Sequence, residues 1–266
     1  MRKLTDKFKF KSKSWCATLL FLTCLNQVSA QEPVPEKKWN FLTDVYLMFP
    51  YMNGETGIGK NSTEITVPVD ANPGDIFSKL KLAGMLYLEA HTSRWAITSD
   101  FIYMDLKQDV ASGKLINSGD VSVSQLAWEL AGLYRIAPFL EVGAGGRLNS
   151  LSTDINVLRN AFPKSTEQVS ESASKTWFDP ILITRLSTDI NDKWLFQFRG
   201  DIGGFGIGSD FAWQLQAYAG YRFTKLFQVT AGYRYLSMDY DKGESTTRFI
   251  YNMDTFGPVV RMGFNF

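Results

Sequence analysis

Charged side chains recur on one side of the alternating segments of this chain, opposite to the apolar side chains. Successive residues of a strand point to opposite faces, so residues of one parity share a face. The planar guanidinium of arginine meets a carboxylate through two parallel hydrogen bonds, so arginines and carboxylates on a shared face are expected to pair. Seven arginines and five carboxylates form this set: Glu89, Asp100, Glu129, Arg135, Glu141, Arg147, Arg185, Arg199, Asp201, Arg222, Arg234 and Arg261.

The residue inventory offers little for catalysis. The only histidine, His91, adjoins Thr92-Ser93 in a short predicted turn, which favours a structural role over that of a general base. A lone histidine also cannot build a multi-histidine metal site. Asp239 and Asp241 lie near a predicted loop, a pattern more typical of solvated residues than of a catalytic carboxylate pair. We therefore predict no catalytic residues, no metal site and no cofactor.

A glycine-rich run over 199–210 superficially matches a phosphate-binding loop. Such a loop needs a following helix whose N-terminus faces the phosphate, whereas 211–215 alternates as a strand. The glycines are therefore expected to serve a tight turn and the close approach of two strands. Binding of an ion between Asp201 and Asp210 is a second, weaker hypothesis.

The first thirty residues have the pattern of a secretory signal peptide. Six basic residues precede an apolar run over 15–25, and Val28-Ser29-Ala30 forms a small-residue cleavage site. We predict that residues 1–30 are removed, that 31–38 form a short periplasmic segment, and that 39–266 form one domain. Lipidation at Cys24 is a weaker alternative because Thr23 is a poor residue before a lipidated cysteine.

Removal of this leader changes the bulk properties of the chain. The leader holds six of the 28 basic residues and one of the 27 acidic residues, which leaves 22 and 26 and a net charge near −4. This balance excludes a basic surface for nucleic acid. Cys16 and Cys24 also leave with the leader, so the mature chain has no disulfide and no thiol nucleophile.

Ten alternating segments bounded by turn residues predict an all-β protein. Short junctions and long connections strictly alternate along the chain, which is typical of an up-and-down antiparallel transmembrane β-barrel with all short turns at one rim. Eight or twelve strands also fit, and 64–69 is either an extra strand or an extension of the first hairpin. The segments begin at Trp39 and continue over 80–91, 95–106, 121–136, 139–151, 176–190, 194–204, 210–223, 226–240 and 249–266, and the long connections are 52–79, 107–120, 152–175, 205–209 and 241–248.

Aromatic residues recur where strands meet the short-turn rim. Rings at recurring strand ends are typical of the girdle that a membrane barrel places at the bilayer interface. The predicted girdle comprises Trp39, Trp95, Trp194, Phe227 and Phe266. Parity alone does not say which face of the strands is outside. The leader, the rim aromatics and the loop asymmetry together favour apolar side chains outside and the charged set in the lumen.

The chain also resembles a known family of small, uncharacterised bacterial outer-membrane β-barrels, broadly like the OmpA and OmpW groups. The resemblance covers about 176–266 and rests on Trp177-Phe178-Asp179-Pro180, the glycine-rich turn through Ser209-Asp210, Gly232-Tyr233-Arg234-Tyr235-Leu236, Gly257-Pro258 and the terminal Phe266. It implies a location in the bacterial outer membrane, contact with outer-membrane lipid and delivery by the barrel-assembly machinery. It implies no catalytic residues, since outer-membrane proteases and lipid A deacylases depend on a histidine placed toward the outer leaflet.

Two functions follow as hypotheses. In the first, the barrel has a structural or small-solute permeability role, with a lumen that is either plugged by arginine–carboxylate pairs or lined by them as a narrow pore. A barrel of about ten strands has little spare interior, which favours the plug. In the second, the long connections 52–79 and 152–175 bind surface partners, and an outer-membrane enzyme is a third and less favoured hypothesis.

Overall fold

The computed structural model describes residues 39–60, 63–110, 116–161, 165–244 and 247–266. The predicted signal peptide 1–30 and the segment 31–38 lie outside the described residues. Within them the chain forms twelve strands and one short helix, α1 (Pro73–Ser78). The strands are β1 (Asn40–Met48), β2 (Tyr51–Lys60), β3 (Thr63–Ala71), β4 (Leu80–His91), β5 (Trp95–Val110), β6 (Ile116–Ala137), β7 (Leu140–Ala161), β8 (Ser165–Ile190), β9 (Trp194–Gly203), β10 (Phe211–Arg222), β11 (Phe227–Lys242) and β12 (Phe249–Asn265).

Ten of these strands close into an antiparallel barrel. β4 to β12 pair in sequence, and β1 pairs with β4 on one side and with β12 on the other. The closing strands are joined at their ends by two backbone hydrogen bonds, Phe41 N–H to Phe266 O at 3.1 Å and Phe266 N–H to Phe41 O at 2.8 Å. The predicted closed barrel of ten strands is confirmed.

The two remaining strands, β2 and β3, lie beyond the end of the barrel, and β2 continues the path of β1. β1 ends just before Pro50, which has no N–H to donate, and β2 then continues alongside β12 from the pair Tyr51↔Phe256. β3 folds back on β2, so the segment 64–69 is an extra strand. Helix α1 follows, held by a capping box between Asn72 and Asp75, and connects β3 to β4.

Two predicted long loops are wrong. Most of 107–120 and 152–175 is paired strand, since β7 and β8 remain in register from Leu140↔Leu186 to Ala161↔Ser165. Polar residues occur on both parities there, as in the consecutive Ser152, Thr153 and Asp154 of β7, so no alternation marks a strand. Alternation requires one apolar and one polar environment, and a sheet with polar residues on both faces does not produce it.

The two faces of the barrel wall differ as the alternation predicts. On β12, Val260, Met262 and Phe264 are exposed to the outside, whereas Val259 and Arg261 are buried in the lumen. None of the described helices is both long and apolar enough to cross a membrane.

Candidate functional site

The charged residues of the lumen lie in two rows that follow the strand register. The first row crosses β1 and β4 to β8 through the facing residues Asp44, Tyr87, Asp100, Glu129, Arg147 and Asp179. The second crosses β6 to β11 through Arg135, Glu141, Arg185, Arg199, Gln216 and Arg234. Carboxylates predominate in the first row and guanidinium groups in the second. Like charges therefore face each other on adjacent strands, which is unfavourable unless other partners neutralise them.

Those partners come from distant strands. Arg234 on β11 reaches Asp100 on β5 at 2.9 Å, and Arg185 on β8 reaches Glu89 on β4 at 3.1 Å. Arg199 on β9 binds Glu129 on β6. These ion pairs connect strands that are not neighbours in the wall, so they pass through the lumen.

A second set of contacts ties these pairs into one network. Arg147 donates from Nη2 to Glu129 at 2.9 Å and to Asp201 at 2.8 Å. Gln214 donates to Asp201 at 2.7 Å and accepts from Nε of Arg234 at the same distance. The side chains of Arg147 and Asp201 are 1% and 0% exposed. We call this network, built on Asp100, Glu129, Arg147, Arg199, Asp201, Gln214 and Arg234, the charged layer.

Further pairs extend the network toward the short-turn rim. Glu141 accepts from Arg185 at 2.6 Å and from Arg135 at 2.8 Å. His91 lies 3.4 Å from Glu89, at the rim where the sequence places it. Arg222 stands apart, because it pairs with Asp189 at the exposed end of the barrel. Of the twelve charged residues named from the sequence, Arg222 and Arg261 are the two that form no ion pair or hydrogen bond with the charged layer or its extensions among the described residues.

Arg261 occupies a cage of tyrosines. Its guanidinium lies 4.0 Å from the ring centroid of Tyr218, 5.0 Å from that of Tyr46 and 5.2 Å from that of Tyr87. It also donates to the Tyr218 hydroxyl at 2.7 Å, with Asp44 at 3.6 Å. Cation–π contacts thus supplement a loose ion pair. The sequence reasoning did not select these tyrosines, although they share the inward parity that could have identified them.

A cavity of about 190 Å³ lies between the charged layer and the short-turn rim. Its lining includes Asp44, Glu89, Arg185, Tyr218 and Arg261. The cavity is thus lined by charges of both signs together with apolar and aromatic side chains.

The other end of the lumen is filled by aromatic rings. Trp177 packs on Tyr240 and Tyr251 with centroid distances of 4.6 and 5.7 Å. Gln125 donates to the Tyr251 hydroxyl at 3.2 Å. Met238 and Met253 complete this buried cluster, so apolar packing backs the charged layer on the long-strand side.

A buried carboxylate joins two of the motifs singled out in the sequence. Asp179 accepts from Ser209 N–H at 2.6 Å, from Ser209 Oγ at 2.9 Å and from Asn149 at 2.9 Å. Trp177 donates to the same Ser209 hydroxyl at 3.0 Å. A Cβ at Gly208 would collide with Phe178 O and the Asp179 carboxylate, which explains a glycine there. The run thus forms the expected close turn.

The structure does not join Asp201 and Asp210 as the ion-site hypothesis requires. Asp201 binds Arg147 and Arg199 within the charged layer, whereas Asp210 binds Lys242 at the exposed end. No group of three or more metal-ligating side chains comes together among the residues that the structure describes.

Aromatic rings form two bands on the outside of the barrel, of which the second spans four neighbouring strands. Trp39, Trp95, Trp194 and Phe266 are exposed at the short-turn end, and Phe227 packs between Phe223 and Phe264 with centroid distances of 5.8 and 5.5 Å. The second band, which the sequence reasoning missed, is a ladder across four strands formed by Trp213, Tyr235, Phe256 and Tyr51, with successive centroids 4.8, 5.4 and 5.7 Å apart.

Comparison with known proteins supports the fold. No protein-family model matches the sequence, and no curated protein does so either. The chain is similar in structure to the outer membrane protease OmpT from Escherichia coli, with a TM-score of 0.51 and 9% identity over 88% of this chain and 99% of that one. The toluene transporter TbuX of Ralstonia pickettii aligns with a TM-score of 0.41 and 9% identity over 86% and 89% of the two chains. The Yersinia pestis attachment protein Ail aligns with a TM-score of 0.33 and 11% identity over 86% and 99%.

The predicted resemblance to small outer-membrane β-barrels is confirmed at the level of the fold. At 9% identity the match to OmpT carries no activity across to this chain.

Glu129→Gln is expected to lower the free energy of unfolding by about 3–5 kcal/mol, because it leaves two buried guanidinium groups short of one carboxylate. Urea unfolding in lipid vesicles measures this change. Asp189→Asn is the matched control, and loss of its exposed ion pair with Arg222 should cost less than about 1 kcal/mol. Equal costs for the two variants would contradict a stabilising network.

Proposed function

We propose that this chain is an integral outer-membrane β-barrel whose lumen is closed by the charged layer. It has a structural role, or it passes small solutes only when that layer rearranges. The observation that carries this proposal is the pairing of Arg199, Arg234 and Arg185 with carboxylates on non-neighbouring strands. A ten-stranded barrel has little more room than its own side chains need, and here those side chains are mutually paired.

The spacing of the two aromatic bands supports a position in a membrane. Phe264 lies eight positions after Phe256 on β12, and Tyr235 lies eight positions after Phe227 on β11. Eight residues extend about 26 Å along a strand and about 20 Å along the axis of a barrel with tilted strands, close to the ~25 Å apolar band of such proteins. Arginines and carboxylates occupy the interior at this depth, where no lipid reaches them.

We also propose that the chain is exported to the outer membrane and has no catalytic role. Residues 1–30 would direct export, and the closing strand β12 would be recognised by the barrel-assembly machinery. His91 lies at the short-turn end beside Glu89, away from the long-strand end where an outer-membrane protease would use it. No cofactor, metal ion or nucleic acid is invoked.

Extraction from envelopes tests the location. The protein should resist salt and carbonate, dissolve only in detergent, and migrate faster on a gel before boiling than after. A closed barrel stays compact in detergent until it is heated, which explains the expected shift. Recovery as a soluble periplasmic protein would reject the membrane assignment.

Planar bilayer recordings test the closed lumen. The natural protein should show little or no conductance, whereas Arg199→Ala should raise it several-fold by removing the guanidinium that binds Glu129 across the lumen. Arg222→Ala is the control and should leave conductance unchanged, since Arg222 pairs at the exposed rim. An open natural channel, or an R199A variant as silent as the control, would contradict the proposal.

A second candidate function is binding of surface partners by the long-strand end. It is favoured by the β7–β8 hairpin, in which β8 continues 16 residues beyond its last pair with β9, Ile181↔Gly203, as far as Ala161↔Ser165. Its exposed residues include Gln168, Ser170 and Ser172, so the hairpin presents a polar surface. Such a surface can recognise a protein or glycan partner without altering the barrel.

A shortened hairpin tests this second function. Deleting 155–171 and joining Asp154 to Ser172 through an Asn-Gly turn keeps an existing pair of the ladder. The variant should retain heat-shifted mobility and closed conductance, while vesicles that carry it lose attachment to surfaces coated with extracellular-matrix protein. Vesicles with the full hairpin are the control, and equal attachment of both would count against this function.

A further inference from the structure

At the long-strand end of the barrel, the connection between β9 and β10 lies much closer to the short-turn rim than the connection between β11 and β12 does. The pairs Gly203↔Ala212 and Ile202↔Trp213 are the last before it, and Trp213 belongs to the second aromatic band. In contrast, β11 and β12 continue to the pair Lys242↔Phe249, seven residues beyond Tyr235 and Phe256 of the same band. Residues 204–209 therefore lie at the edge of the apolar band.

The tip of this connection is apolar. Ile207 is 72% exposed and Phe205 is 47% exposed, and 204–209 contains no charged residue. The junctions 92–94 and 191–193 at the opposite rim each carry a charged residue instead. Two large apolar side chains on a turn surrounded by water would be an unusual exposed surface.

The backbone of the connection is largely satisfied within the protein. Gly204 N–H donates to Pro180 O at 3.1 Å, Gly206 N–H to Ser209 O at 3.0 Å, and Ile207 N–H to Gly204 O at 3.0 Å. Ser209 N–H donates to the Asp179 carboxylate at 2.6 Å. Backbone groups that enter lipid need internal partners, and this turn provides them.

The turn is also held in one conformation. Phe205 has a φ of +49°, in the left-handed region that large L-residues rarely adopt, between Gly204 and Gly206 with φ of +83° and +76°. Ser209 fixes the end of the turn to Asp179 and Trp177. The apolar side chains are thus presented outward by a rigid support.

We infer that Phe205 and Ile207 insert into the acyl-chain region of the outer leaflet, so that this connection is a membrane-binding turn. The patch is continuous with the lipid-facing wall below, where Ile202 and Phe211 are also exposed. The inference rests on the proposed membrane location. It adds that the connection between β9 and β10 is buried in lipid, at the end of the barrel where the other strands extend further from the short-turn rim.

Site-specific labelling tests the inference, since the mature chain has no cysteine to remove. Ile207→Cys would carry an environment-sensitive fluorophore in phosphatidylcholine vesicles, with quenching by nitroxide-labelled acyl chains and by aqueous iodide. Ile202→Cys is the lipid-facing control and Gln168→Cys is the water-facing control. Heat-shifted mobility confirms that each variant is folded.

The label at position 207 should be quenched by the acyl nitroxide at least half as strongly as the label at 202, and by iodide several-fold less than the label at 168. Iodide quenching at 207 equal to that at 168, with 202 still in lipid, would overturn the inference and leave the membrane location intact. Iodide access at both 207 and 202 would overturn the membrane location as well. Protection of the label at 207 from both quenchers would indicate a protein contact, such as one with a second copy of the chain, and would also overturn the inference.

Discussion

An ionised side chain that leaves water must find a partner of opposite charge, and the interior of this barrel depends on that requirement. Arg147 is 1% exposed and keeps its charge because Glu129 and Asp201 accept its hydrogen bonds. Since these carboxylates also bind Arg199, no pair in the charged layer is independent of the others. The side chains that neutralise one another also fill the middle of the lumen, so the balance of charge and the closure of the lumen at this level have the same cause.

The outside of the barrel obeys the complementary constraint. Apolar side chains face outward, and the backbone polar groups behind them are paired around a closed sheet, ending with the bonds between Phe41 and Phe266. A wall that is apolar outside and ionic inside is the inverse of a soluble barrel. In the proposed membrane location, the two aromatic bands would lie near the two membrane interfaces.

The strands differ in length at the outer end of the barrel, and one buried carboxylate links the long strand β8 to the connection between the shorter strands β9 and β10. Asp179 lies on β8, which rises far above the barrel, and binds Ser209 in the low connection after β9. The same β8 segment places Trp177 in the aromatic cluster with Tyr240. A short stretch of β8 thus holds the connection between β9 and β10 in place and closes the outer end of the lumen.

The sequence by itself determined the class of fold, the faces of the strands and the short turns. The parity of Glu129, Arg199 and their ten companions, and the turn residues at 92–94 and 191–193, act over neighbouring residues and can be read locally. The partners of these charges were decided only by the tertiary structure. Register sets like charges side by side, as at Asp100↔Glu129 and Arg185↔Arg199, and closure of the barrel brings the neutralising partners from other strands. The strand character of 152–161 and 165–175 was also tertiary, because the hydrogen-bonding neighbours of these segments, rather than an apolar face, hold them extended.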